Sequence, residues 1–386
     1  MYILPTSPQV RVTLSYFVTF IAIGMCAGLL GPALPHLAEM TGSSMGQIGI
    51  LFTARALGTM LGSVLSGALI DRFDGHRVLV AMLLLMAAGL FAVPFSPALM
   101  LLTAVMFLLG MAEVSVNAGA NTLLLWNHGT ASPPWVSALH FCFGLGNMLA
   151  PLVVVAVLYL QLSFAWAFWF VALYAVALSV PLLRRASPRP PDDTASDRPA
   201  PPPDDGVRLA IFLAMFGLYV GLEITFAGWI TAYGMLNGLA AGDAALMVTL
   251  FWLTLSAGRL LAIPLVRRLS PWKVLRGCLA LGLFSALALH FLWLPLPLVA
   301  LLFGLACSAI FPILFGLSHQ LMTLNGRTTG WIFLASGTGG MTLPSLTGPL
   351  LERAGTGAFP LLLAALVGLL SLGLVALRAR VRRSGH

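Results

Sequence analysis

Apolar residues run in blocks of about twenty or more along nearly the whole chain, and only a few polar residues close each block before the next begins. A membrane-crossing helix needs about 20 such residues, because the hydrocarbon core is about 30 Å thick and a helix rises about 1.5 Å per residue. Twelve blocks reach that length, at 13–38, 47–70, 77–95, 98–125, 134–158, 163–183, 208–236, 243–266, 272–293, 297–323, 329–351 and 357–379. Hydrophobic residues make up 59% of the 386 and charged residues only 8%, where a soluble domain carries about 25% charged residues. A water-soluble fold of this composition would expose large apolar surfaces. The expected fold is therefore all-α and polytopic, with every backbone polar group satisfied inside its own helix.

One stretch breaks the pattern. Residues 184–208, RRASPRPPDDTASDRPAPPPDDGVR, are rich in proline and carry both signs of charge. Such composition cannot bury enough apolar surface to offset chain entropy, and it predicts a solvated tether. It lies near the midpoint, with six spans on either side. The expected organisation is a six-helix bundle over 1–183, a linker over 184–207 and a second six-helix bundle over 208–386. A shift of about 196 residues lays Asp71–Leu79 on Arg267–Leu275, and a shift of 193 lays Gly144, Gly146, Met148 and Pro151 on Gly337, Gly339, Met341 and Pro344. That recurrence predicts two pseudo-symmetric halves.

Arginine placement predicts orientation. With the N-terminus inside, the inner segments hold Arg11, Arg72, Arg77, the tether arginines, Arg259, Arg267, Arg268, Lys273, Arg276, Arg327 and the Arg378–Arg383 tail, while the outer loops hold only Arg353. The positive-inside rule then puts both termini and the tether in the cytoplasm, in the inner membrane of a bacterium. The net charge of +8 reflects this bias, and no nucleic-acid partner is expected. Cys26, Cys142, Cys278 and Cys307 fall in apolar segments without a CxxC pair, as small packing residues. No GxxxxGK[ST] loop and no HExxH motif occurs. Neither an enzymatic activity nor a cofactor or metal is expected, and energy for any transport would come from a gradient.

The loop after the second span reads Gly67-Ala-Leu69-Ile-Asp71-Arg72-Phe-Asp-Gly75-His-Arg77. It resembles the signature loop of the major facilitator superfamily, G-x-L-x-D-R-x-G-R-R, with one extra residue before Gly75. The resemblance implies a gating role for Asp71, Arg72 and Arg77, with an acid at a helix end pairing or releasing as two halves rock. Its second copy carries Arg267 where Asp71 stands, which implies an asymmetric inner gate. Three further stretches are similar to the branch containing fucose permease and the sodium-dependent glucose transporter: Glu113-Val-Ser-Val-Asn117-Ala-Gly-Ala-Asn121, Ala138-Leu-His140 through Asn147 to Pro151, and Tyr219-Val-Gly221-Leu-Glu223 through Gly228-Trp229. That likeness implies the major facilitator fold and transport of a sugar or similar polar solute. Aligned on Asn121, the branch's acidic position falls on Asn117, with Glu113 one turn before it.

Ionisable residues inside a span are costly and are candidates for function. Arg55, Glu113 and Glu223 are three of these. Glu113 is either the structural partner of Arg55 or a coupling group; Glu223 has no evident cation in its own half and is expected to carry a proton. Asn117 and Asn121 share a helix face and suit a hydroxyl-rich ligand, or else bond neighbouring helices. His140 and Asn147, seven residues apart, share a face and are candidates to line the same cavity. Trp229 is a candidate to stack on a sugar ring, or an interface anchor. The small-residue steps Gly24-xxx-Gly28 and Gly58-xxx-Gly62 are expected packing surfaces.

These readings predict a monomeric secondary active transporter working by alternating access in membrane lipid, a proton-coupled importer of a sugar or similar solute, with sodium as the other coupling ion. An exporter of a small metabolite or amphipathic drug is the alternative within transport. A non-transporting receptor or assembly factor is the alternative outside it, and would need no ionisable residues within its spans.

Overall fold

The computed structural model describes residues 8–189, 206–322 and 326–383. Most of the predicted linker lies outside the described residues. Among them the chain is helical throughout: α1 Pro8–Thr41, α2 Met45–Ile48, α3 Ile50–Arg72, α4 Gly75–Ala92, α5 Leu99–His128, α6 Pro133–Tyr159, α7 Ala165–Leu183, α8 Gly206–Leu236, α9 Ala241–Arg268, α10 Pro271–His290, α11 Leu296–Ser308, α12 Ile310–Leu321, α13 Gly326–Ala354 and α14 Ala358–Arg383. Eleven helical spans among the described residues are long and apolar enough to cross a membrane. The eleventh predicted span, at 329–351, is present as the 29-residue α13 but is less apolar, because glycine, serine and threonine interrupt its run. The all-α membrane fold is as expected.

Two predicted spans are each built from two helices. The second is broken at Gly49 between α2 and α3, and the tenth at Ala309 between α11 and α12. Proline interrupts others without ending them, as at Pro32 and Pro35 in α1 and Pro151 in α6. Neighbouring helices and hydroxyl side chains compensate the lost bonds inside a membrane bundle.

The chain forms two compact units. The first takes Met1–Gly42 and Thr53–Ala195, and the second takes Ser43–Phe52 and Ser196–His386. In the first, α1 packs on α6, α7 and α5, and α4 packs on α5 and α7. Glycine decides how closely these helices approach, since apolar side chains gain nothing over lipid by meeting one another. A Cβ at Gly24 of α1 would run into the Phe143 carbonyl of α6, and one at Gly110 of α5 would run into the Arg55 carbonyl of α3. The backbones therefore touch, and the stretch of α3 that carries Arg55 is set directly against α5. Gly110→Val should drive the two helices apart and cost about 1–3 kcal/mol by overpacking, read as a lower unfolding temperature in detergent; an unchanged transition would show that α3 has room to move.

In the second unit, α8 packs on α13, α14 and α9, and α9 packs on α11. The short α2 also belongs to this unit and lies on α13. Ser44 caps α2 by accepting from the Gln47 amide at 3.2 Å, and the Gln47 side chain accepts the Ser44 N–H at 2.9 Å. Glu352 of α13 accepts from Ser44 Oγ at 3.2 Å and from the Gly46 amide at 3.0 Å. An acid at a helix N-terminus stabilises the exposed amides there.

Candidate functional site

In the first unit the polar residues of α5 stand in a row. Glu113, Asn117 and Asn121 follow one another at four-residue steps and are half-buried, while Ser115, Val116, Gly119 and Ala120 between them are buried. Asn121 Nδ2 donates to both the Oδ1 and the carbonyl of Asn117, each at 3.0 Å. One amide donor of the row is thus committed within the helix.

Arg55 and Glu113 form an ion pair, with side-chain exposures of 14% and 16%. The structural partnership anticipated for them is present. Arg55 also lies 3.7 Å from Cys26 Sγ on α1, a contact with no signal in the sequence. Arg55 and Glu113 are held by the same glycine contact that joins α3 to α5 at Gly110.

His140 and Asn147 lie in different surroundings. His140 is exposed, with its ring edge-on to Phe20 at 5.8 Å between centroids. Asn147 is buried, and its Nδ2 donates to the Phe143 carbonyl of its own helix at 3.0 Å. Its backbone faces Gly28 of α1, so packing against α1, not side-chain periodicity, sets its environment.

The second unit holds a second pair. Glu223 on α8 is buried, and Arg259 on α9 lies 3.8 Å from its carboxylate. This corrects two expectations: Glu223 does have a cation in its own half, and Arg259 is not a loop residue but stands within α9. The sequence signal was available, since Arg259 interrupts an apolar run as Arg55 does. Helix-end basic residues 267 and 268 disguised it as part of a cytoplasmic cluster. One turn before Glu223, the buried Tyr219 hydroxyl donates to the Cys307 carbonyl at 2.9 Å, tying α8 to α11.

Trp229 is fully buried. Its Nε1 donates to the Pro344 carbonyl at 2.8 Å, its ring lies 6.0 Å from that of Phe52, and a Cβ at Gly348 would strike its edge. In this conformation the indole is packed on every side and offers no face to a solute.

Of the gating residues, Asp71 and Arg72 form the last turn of α3, and Arg72 and Arg77 are exposed. Asp74 caps α4 by accepting the Arg77 amide at 3.0 Å. The loop therefore has a helix-capping acid that the motif does not require. The four cysteines are free, with Cys26 and Cys307 buried.

The arrangement can hold buried charge in two places, each an arginine–carboxylate pair inside helices of membrane length. It can also present amides along one face of α5. Sodium-dependent glucose transporter 1 of Rattus norvegicus is 28% identical over 394 residues, covering 89% of this chain and 81% of that protein. The Xenopus laevis protein of the same name is 30% identical over 369 residues, covering 84% and 72%. Among solved structures, a point mutant of the nucleoside transporter NupG matches with a TM-score of 0.76 at 13% identity, over 97% of this chain and 99% of that one. A bacterial homolog of the human lysosomal transporter Spinster, inward-facing and unoccupied, matches with a TM-score of 0.77 at 12% identity, over 98% of each. At these identities the two structures show the fold alone. The family model of the Major Facilitator Superfamily matches residues 12–344, and with the membrane-length helices and the two compact units this places the chain in that superfamily, to which it belongs.

Proposed function

We propose that this protein is a secondary active transporter that imports a sugar or a similar hydroxyl-rich solute by alternating access, coupled to a cation. The observation that carries the reading is the row Glu113–Asn117–Asn121 on α5, half-buried beside the buried Ala112, Val116 and Ala120. Amides both donate and accept, so a row of them matches sugar hydroxyls, which do the same. The relatives named as sodium-dependent glucose transporters support the same class of solute.

Glu223 is the proposed coupling carboxylate. Its distance of 3.8 Å from Arg259 marks a pair close enough to compensate charge but too long for a hydrogen bond. A cation arriving at Glu223 would compete with Arg259, and a proton does this most simply. Sodium is the second reading, favoured by the relatives' printed name. Uptake of labelled glucose into proteoliposomes with an imposed pH gradient, and separately with an imposed sodium gradient at constant pH, distinguishes the two. Counterflow without any gradient tests transport itself, and a receptor would show none.

Asn121→Ala should weaken solute binding about tenfold, the loss expected when one or two hydrogen bonds to a bound hydroxyl disappear, while expression stays near wild type. Calorimetric titration of the purified variant measures it. Unaltered affinity would leave the Asn117–Asn121 bond a packing feature.

A further inference from the structure

Residues 43–52 pack in the second unit, although the chain before and after them belongs to the first. Their contacts follow one face of α13. The Met45 carbonyl stands where a Cβ at Gly348 would go, and a Cβ at Gly49 would lie 2.9 Å from the Ser345 carbonyl. Glu352 takes two bonds at the start of α2. Positions 345, 348 and 352 are spaced by three and four and form one stripe. Past α2, the Phe52 ring packs on Gly228 and lies 6.0 Å from the ring of Trp229, both on α8.

Two features make this docking reversible. The first is the chemistry of its outer end. The Ser44 hydroxyl accepts the Gln47 amide at 3.2 Å and gives its own hydrogen to Glu352 Oε2 at 3.2 Å, and the Gly46 N–H donates to the same oxygen at 3.0 Å. Glu352 is exposed and Ser44 and Gly46 are half-buried, so water replaces these bonds when they break and their net worth is small. Where Met45 meets Gly348 and Gly49 meets Ser345, the glycine has no side chain to interlock. The second feature is a break at each end of α2. Gly42 has a φ of +62° and no atom within 4 Å of its Cβ position, and Gly49 interrupts the helix between α2 and α3. A glycine at positive φ turns the chain without strain.

We propose that residues 43–52 are a strap that docks on α13 and α8 in one state of the transport cycle and releases in another, with the Glu352 carboxylate as its latch. The proposal deepens the alternating-access reading and rests on it. Glu352 is a positioning residue: it acts through α2 on α3, the helix that carries Arg55. With the N-terminus inside, the end of α13 that bears Glu352 faces outward, so the docked strap belongs to a state closed on that side. Weakening the latch shifts the population toward the released state by as much as its bonds favour the docked one.

The test has two arms, both on the full-length protein. In the first, Ile48→Cys places a thiol at a strap position that is fully buried when docked, and its alkylation in detergent is timed by peptide mass spectrometry. Adding Glu352→Ala should speed it about fivefold, the effect of losing one charge-assisted bond. Gly46→Ala keeps the acid but puts a methyl where its oxygen sits, and should act in the same direction. Asp243→Ala, an exposed acid in the first turn of α9, should change nothing. The buried native Cys26 and Cys307 report unfolding and should stay unlabelled. In the second arm, Ser44→Cys/Glu352→Cys is closed with a short, reducible bifunctional thiol reagent and reconstituted. Counterflow of labelled glucose should fall at least about tenfold and return on reduction, because a strap held in one state stops the cycle. No counterflow in the unlinked protein would count against transport itself, and the latch would then be decided by the labelling arm. Unchanged labelling in Glu352→Ala, Cys307 labelling that rises in parallel, or counterflow that persists in fully linked protein would each overturn the latch.

Discussion

Glu113→Ala should cost the folded protein about 3 kcal/mol, whereas the double variant Arg55→Met/Glu113→Leu should recover most of that loss. The reason is the asymmetry of buried ion pairs. Arg55 and Glu113 keep side-chain exposures of only 14% and 16%. Removing the carboxylate leaves a guanidinium between apolar helices with nothing to neutralise it except the weak sulfur contact to Cys26 at 3.7 Å. Removing both charges leaves a site that apolar side chains can fill. Thermal unfolding in detergent of Arg55→Met, Glu113→Leu and the double variant closes a thermodynamic cycle. A double variant as unstable as Glu113→Ala would show that packing at α3 and α5, not charge, is what the residues contribute. Transport separates a second role: a stable but inactive double variant would make the pair part of the cycle, and an active one would leave it structural.

Glu223→Gln should abolish gradient-driven accumulation, at least about tenfold, while counterflow of the solute stays within about twofold of wild type. Gln keeps the shape of the protonated acid and cannot change charge. It therefore holds position 223 in the state that the coupling cation would produce, and a carrier in that state still exchanges solute but has nothing to couple. Arg259 must then do without its carboxylate. Its side chain is less enclosed by protein than that of Arg55, at 39% against 14%, so losing the carboxylate should destabilise the fold less than Glu113→Ala does. Arg259→Gln is the complementary variant: it should release Glu223 from its neighbour and uncouple accumulation in the same way. Accumulation that persists in Glu223→Gln would remove this residue from coupling and leave Glu113, or no residue, in its place.

Much of the candidate site was legible in the sequence, for a specific reason. A charged or amide residue inside a twenty-residue apolar run stands out, because the membrane penalises it. Arg55, Glu113, Asn117, Asn121 and Glu223 were all visible this way. Partnership was legible only where both partners interrupted clean apolar runs. Arg55 and Glu113 did. Arg259 was hidden by Arg267 and Arg268, which drew it into a loop cluster and left Glu223 without a visible partner. Trp229 and Asn147 show the opposite failure. Both share a helix with other candidates, yet one is packed against Phe52, Gly348 and Pro344 and the other against Gly28.

What the sequence by itself determined is the helical membrane fold, the number and placement of its spans, and the family likeness of its loops. These follow from the apolar run length and from turn and signature residues, which are local properties. Tertiary structure decided the rest. It chose which glycine lets two backbones touch, as Gly24 and Gly110 do, and so which charged side chains come within reach of one another. It moved residues 43–52 into the second unit, where Glu352 holds the start of α2. It also threaded Tyr16, His76 and Arg185 into one chain of bonds across three segments. In each case the outcome depends on contacts between residues far apart in sequence, and periodicity along a single helix carries no record of what the neighbouring helix presents.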